Sequence, residues 1–476
     1  MYKFLETTLL SFRKCFSREA AFKWFVLVII SFMMREDHLG VTSTIRALVL
    51  DPGCYTKILN FYRSSAYQTD DIRRQWHNIV RESPLLIRRE SRCVLLGESV
   101  KQSKEGFYMP GVQKHHQESE DSAKGEYIHG HMFGAVGVVI GNMKQKLCLP
   151  LQMSIQEGLS DAAGWEGSHI SPCTHVIQMI ENAFETAKVL GSSFLVLDRY
   201  FLTSPAIKKL NELNKAYGKR LVEIVTKAKR NCIAYEKPGP SEPGKRGRKR
   251  KKGAKVELRS FFEDRKAFTK ATVNMYGENA KVEYFSIDLL WGEGLYQELR
   301  FVLVIYNGLR SILVSTDLTL SPETIIELYA ERFQIERTFR EFKQQIGGFC
   351  YHFWTKAQKK LNHYKEKGEP GPLANITDKL AQARILRTVD ATERFVLFAN
   401  IAMGLIQMML LSVNDVKTIQ NMRYLRTVSE GKISEATLMY YLRKKFFSGL
   451  QDDPDSFITR YISEARQRNI LDIDIA

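Results

Sequence analysis

Between Cys93 and Thr226 the hydrophobic pattern changes period four times, and that order limits the fold more than any other feature of the chain. Cys93-Val94-Leu95-Leu96-Gly97 reads as a short buried strand that stops at Glu98. Residues 133–140 and 146–155 read as two more strands, joined by a turn at Gly141-Asn142. Residues 175–190 carry apolar side chains at helical spacing, 194–197 form a strand ending on Asp198, 206–217 a second helix and 220–226 a fifth strand. Three strands, helix, strand, helix, strand predicts an α/β fold with helices laid over a sheet. Two of these strands deliver a carboxylate, Glu98 and Asp198, at their C-terminal ends, where ligands collect in sheets covered by helices.

The flanking segments are of other kinds. Residues 1–90 place Ile45, Leu48, Tyr55, Ile58, Leu59 and Tyr62 at three- and four-residue spacing with Arg73, Arg74 and Arg81 nearby, which predicts a helical DNA-contacting domain. The apolar run 24–34 is too short for a bilayer, which needs ~20 residues, and reads as a buried helix. The longer run 395–413 is interrupted by Asn400, Gly404, Gln407 and Ser412 and reads as a core helix, so no membrane is expected. A turn-rich linker at 237–244 precedes seven basic residues in eight, Lys245, Arg246, Arg248, Lys249, Arg250, Lys251 and Lys252. Strand patterns at 271–275, 281–291, 299–306 and 311–316 follow, and from Thr324 onward the pattern is helical. The expected organisation is 1–90 helical, 91–230 first part of the core, 231–317 a β-rich insertion, 318–415 second part of the core and 416–476 a helical C-terminal region.

A formal charge of +17 makes a polyanion the first partner to consider. The basic run predicts a DNA-backbone clamp whose affinity falls with salt, against the alternative of a solvated loop. Trp291, in the insertion, is a candidate for stacking on an unpaired base or for ordinary core packing. The seven cysteines are scattered without a C-x-x-C pair, and Cys173, His169 and His175 lack the second pair that a zinc site needs.

The helix expected over 324–347 carries the most specific pattern. With Tyr329 at 0° and 100° per residue, Arg332 falls at about −60°, Glu336 at about −20° and Lys343 at about −40°. Leu328, Ile335, Phe339, Phe342 and Ile346 gather on a neighbouring face that would bury against a sheet. On an arbitrary helix Arg332 and Glu336 would be a surface pair worth ~0.3 kcal/mol.

Tyr329-x2-Arg332-x3-Glu336-x6-Lys343 resembles the signature of the fourth family of insertion-sequence transposases at every fixed position. Residues 104–112 and Gly130-His131-Met132-Phe133-Gly134 are also similar to blocks of that family, and the resemblance spans roughly residues 35–415. It implies a ribonuclease-H-like core and cut-and-paste transposition on double-stranded DNA, at terminal inverted repeats and target sites. It further implies two Mg²⁺ or Mn²⁺ ions held by Glu98, Asp198 and Glu336, and DNA phosphates held by Tyr329, Arg332 and Lys343. A homodimer in the synaptic complex and a cytoplasmic, nucleoid-associated location are implied too. One position departs from the family: Glu98 stands where an Asp is usual, and the extra methylene displaces the carboxylate by about 1.5 Å, a distance that matters to near-attack geometry. A catalytically impaired DNA-binding relative or repressor is therefore the alternative to an active enzyme.

Overall fold

In the computed structural model of the chain, described over residues 2–117, 125–239, 250–362, 369–423, 425 and 431–466, a single sheet of 13 strands runs through the molecule. In chain order the strands are β1 (Arg88–Arg89), β2 (Arg92–Ser103), β3 (Gln113–His116), β4 (Tyr127–Gly141), β5 (Lys146–Ile155), β6 (Ser193–Leu197), β7 (Val222–Lys227), β8 (Ile233–Tyr235), β9 (Lys255–Glu257), β10 (Thr269–Met275), β11 (Glu278–Trp291), β12 (Gln297–Tyr306) and β13 (Leu309–Ser315). The helices are α1 (Tyr2–Leu10), α2 (Glu19–Met34), α3 (Thr42–Leu48), α4 (Cys54–Tyr62), α5 (Thr69–Glu82), α6 (His175–Leu190), α7 (Ser204–Tyr217), α8 (Pro322–Ala330), α9 (Phe333–Glu341), α10 (Lys379–Leu411), α11 (Val416–Met422), α12 (Glu435–Asp452) and α13 (Phe457–Ala465).

Five strands stand side by side in the order β5-β4-β2-β6-β7. β4 is antiparallel to β2 and β5, whereas β6 runs parallel to β2 and β7 parallel to β6. The turn expected at Gly141-Asn142 joins β4 to β5, with the Asn142 side chain accepting from the amides of Lys144 and Gln145. β2 does not stop at Glu98 as the sequence suggests; it runs on to Ser103 because residues 98–103 pair with 130–135 of the long β4. Its parallel pairing with β6 does end there, at Gly97 opposite Leu197. Glu98 and Asp198 are thus the next residues on adjacent parallel strands, whose backbones lie ~4.8 Å apart. Gly97 is the close-approach point beneath them, since a Cβ there would lie 2.5 Å from Leu197 and 2.9 Å from the Met179 sulfur of α6.

The β-rich segment is not a separate sheet. β13 pairs antiparallel with β7, and β12, β11 and β8 continue outward. β12 shows why one strand can serve two cores. Leu299, Phe301, Leu303 and Ile305 join a small cluster with Leu258 and Phe262, while the alternating Val302 and Val304 face the main core.

α6 covers the Gly97 face of the sheet and α9 the Glu98 face. The ends of the chain close over β5 together: α10 packs on β5, and α2 packs on α3, α10, α12 and α13. Trp76 of α5 donates to the Pro150 carbonyl at 3.1 Å and lies against Gly404 of α10. The apolar stretch of α10 is long enough to cross a membrane but is wholly buried inside the fold, and α2 is likewise buried.

The wheel drawn on the sequence treats 324–347 as one helix, and here the structure differs. α8 ends at Ala330, and the amides of Glu331 and Arg332 bond three residues back, to Leu328 and Tyr329, at 3.1 Å. Ionic anchors hold this tight turn, Glu331 to Lys146 and Arg332 to Glu98. α9 begins at Phe333, and Phe342–Ile346 is a π turn closed by Gly347 in the left-handed region at φ 61°.

Candidate active site

Glu98 accepts two bonds: its own strand offers the Ser99 amide at 3.0 Å, and Arg332 donates one guanidinium nitrogen at 2.7 Å. The other terminal nitrogen of Arg332 donates to Glu336 at 2.5 Å. The turn between α8 and α9 therefore aims Arg332 back at Glu98 in the middle of β2, while the first turn of α9 presents Glu336. Glu98 keeps 20% of its side chain exposed and Glu336 44%, so the site opens on the Glu336 side.

The electrostatics bring Asp198 into the same group. Burial pushes the Glu98 carboxyl up to about 7; the Ser99 amide and Arg332 pull it down, and the charges of Asp198 and Glu336 push it up. Burial also pushes Tyr329 up to about 12, with Arg332 opposing and Asp198 and Glu98 adding to the rise. Arg332 loses from burial but is held above its ordinary value by Tyr329, Glu98, Glu336 and Asp198. Glu98, Asp198, Glu336, Tyr329 and Arg332, all singled out from the sequence, thus share one neighbourhood.

Sequence reasoning missed Lys227. It is the last residue of β7, and its ammonium is held below the usual lysine range by burial and by Arg199 and Arg332, while Asp198 opposes the shift. The legible signal was a basic residue at the C-terminal end of the strand next to the one that ends on Asp198. It also missed the open aromatic surface beside the carboxylates. Tyr276, at the β10–β11 hairpin tip, meets Phe333 edge-on at 6.3 Å, and the two rings are 62% and 49% exposed.

The remaining predicted residues are scattered. Lys343 lies on the exposed face of the π turn. Trp291 is half-buried against both hydrophobic clusters. Arg250 and Lys251 are exposed, and Lys252 lies over the Tyr235 and Tyr296 rings at 4.0 and 5.1 Å. Lys245, Arg246, Arg248 and Lys249 lie outside the described residues. Arg73 and Arg74 pair with Asp70 and Asp71 on their own helix.

A cavity of about 310 Å³ flanks the Glu98 and Asp198 side of the site and is also lined by Lys101, His115, Glu157 and His175. His175 sits 2.8 Å from one Glu157 oxygen, and Gln113 donates to the other at 2.8 Å. Bonds to His115 and His175 hold the Glu157 carboxyl far below the usual range.

Among the described residues no three acidic, histidine or cysteine side chains stand close enough to grip one cation, and the Arg332 guanidinium lies between Glu98 and Glu336. The carboxylate oxygens gathered here are nevertheless the donor type that Mg²⁺ and Mn²⁺ accept.

Compared with known proteins, residues 168–399 match the family model of the transposase DDE domain. The matched span includes Asp198 and Glu336 and begins after Glu98. No curated protein sequence matches the chain.

Proposed function

We propose that the chain is a DNA transposase that cleaves and rejoins strands at the ends of a mobile element by metal-dependent phosphoryl transfer, with Glu98, Asp198 and Glu336 as its carboxylates. The observation that carries this reading is the level placement of Glu98 and Asp198 where the parallel pairing of β2 and β6 ends, with Arg332 bridging Glu98 to Glu336. The order β5-β4-β2-β6-β7, antiparallel then parallel, supports a ribonuclease-H-like core, and the DDE match supports a DNA substrate.

On this reading Glu98, Asp198 and Glu336 would hold two Mg²⁺ or Mn²⁺ ions, which supply activation of the attacking water or 3′-hydroxyl and stabilisation of the leaving oxygen. Arg332 carries five donors and makes two carboxylate bonds here, so it retains donors for a phosphate oxygen. Tyr329, Lys227 and Lys343 are the further phosphate-holding groups, and Tyr276 and Phe333, rather than Trp291, offer rings to an unpaired base. Burial and the neighbouring carboxylates push Glu98 up, so a cation there would compete with a proton. Synapsis of two terminal inverted repeats would bring two copies together on DNA.

The second reading, a DNA-binding relative without chemistry, rests on Glu98 standing where the resemblance implies Asp. One assay separates the two. On DNA flanking the encoding gene, the parent is expected to cut in Mg²⁺ and Glu336→Gln to lose at least ~100-fold, or ~2.7 kcal/mol of barrier. A parent that does not cut, with Glu98→Asp restoring cleavage, establishes the second reading. Cleavage by Glu336→Gln at the parental rate removes α9 from the active site altogether.

A further inference from the structure

A second polar groove of about 430 Å³ lies on the other flank of α9. Its walls are the β4–β5 hairpin with Lys144 and Lys146, the Tyr276 hairpin tip, Gln334 and Arg337 of α9, and Lys432 ahead of α12. Lys146 is neutralised by Glu331. Among the described residues, Lys144, Arg337 and Lys432 have no carboxylate within ion-pair distance, and the Lys144 side chain runs past Gly431, next to Lys432. Arg337 also feels the buried carboxylate of Glu435 and donates to Gln334, so the surplus positive charge of the groove sits chiefly on Lys144 and Lys432; like charges held close raise the free energy of the fold, and a shared anion lowers it.

The position of the groove identifies the anion. With Glu336 at 0° on α9, Phe333 falls at about 60°, Arg337 at about 100° and Gln334 at about 160°. The outer surface of the helix thus passes from the carboxylates, over the crest of Phe333 and Tyr276, into the groove. An arc of about 100° on a helix ~5–6 Å in radius is ~10 Å, which is about three base-pair rises of ~3.4 Å. Amide side chains between the cations add neutral donors for phosphate oxygens, as protein–DNA backbone contacts commonly do.

We propose that this groove is a second DNA-backbone site, holding phosphates of the same duplex about three base pairs from the scissile phosphate. The proposal rests on the reading of the chain as a DNA-cutting enzyme. In it Lys144, Lys432 and Arg337 each neutralise a phosphate, and duplex DNA straddles α9 with one flank of the helix at the chemistry and the other gripping backbone.

The test uses the full chain in EDTA, so that no strand is cut, and a labelled random-sequence duplex of ~30 base pairs titrated at several salt concentrations. Lys144→Ala/Lys432→Ala is expected to weaken binding about tenfold near ~0.15 M salt and to make the slope of log K against log salt less negative by about 2, since each phosphate contact contributes ~0.9. In the parent, the same DNA is expected to protect Lys144 and Lys432 from acetylation, a readout that needs no variant to fold. An unchanged slope, or acetylation of both lysines undiminished by DNA, overturns the groove while leaving the enzymatic reading intact. A parent that shows no salt-dependent binding to DNA overturns that reading itself.

Discussion

Arg332 donates to Glu98 at 2.7 Å and to Glu336 at 2.5 Å, and each acid reaches it from a different part of the chain. The pairing that looks like an ordinary surface pair on a helical wheel is thereby tied to a strand residue 234 positions away. A second charge cluster shows the same logic with a measurable pH signature. His169 has Asp390 at 3.5 Å from one ring nitrogen and Glu393 at 3.3 Å from the other, and the Glu393 bond is the main cause that pushes it up to about 9. A ring facing a carboxylate on both sides is held as the imidazolium. Since its folded value lies above the ordinary ~6.5, its contribution to stability is complete below about pH 6.5 and is lost as pH rises through about 9. His169→Asn should therefore cost about 1–2 kcal/mol at pH 6 and close to nothing at pH 10. Thermal melts of the two proteins across that range check this, and melting curves that stay parallel at every pH would exclude the ion pair.

At the scale of elements, the C-terminal end of the signature segment depends on a residue from the other end of the chain. Arg35, 1% exposed, donates to the carbonyls of Ile346 at 3.0 Å and Gly347 at 2.8 Å, and burial pulls its guanidinium down to about 10. Terminal helix carbonyls have no partner of their own, and a cation there also suits the helix dipole. Arg35→Met should cost about 3 kcal/mol and speed amide exchange over residues 342–350, measured by hydrogen exchange with mass spectrometry. Exchange rates there equal to the parent's would refute the role.

Much of this level was legible in the sequence, because strand and helix periods are local. The strands at 194–197 and 299–306 follow from their apolar runs, and α6 occupies the residues its spacing predicts. Three things were not legible. The wheel assumes a uniform 100° per residue, so the break at Glu331 and Arg332, set by partners on β5 and β2, leaves no local trace. Residues 98–103 look too polar for a buried strand, and only the length of β4 extends β2 through them. Lys227 belongs to the site because β7 lies beside β6, a neighbour relation that periodicity does not encode.

The whole molecule is a basic body with a net charge of +17, and one stretch concentrates that charge. Residues 245–252 hold seven cations, and the strands on either side of them, β8 and β9, pair with each other. Deleting 245–252 should leave the melting temperature within about 2 °C of the parent and weaken DNA binding, with the salt slope less negative by several units. Melting and anisotropy titrations read both quantities, and a deletion that binds with the parental slope would show the run to be a solvated loop. The pairing of β7 with β13 has a different consequence, since it makes the β-rich segment continuous with the sheet that carries Glu98 and Asp198.

The packing of α2 on α10 sets a schedule for synthesis. Met34 and Lys379 are separated by 345 positions, so a ribosome adding ~5–20 residues each second takes on the order of 20–70 s between finishing the first helix and starting its cover. Through that interval Phe25 to Met34, every one of them buried in the finished fold, has no native partner on α10. Over the same interval α3 covers only part of α2, so a message truncated before Lys379 yields a product whose α2 keeps exposed the apolar face that α10 covers in the finished fold.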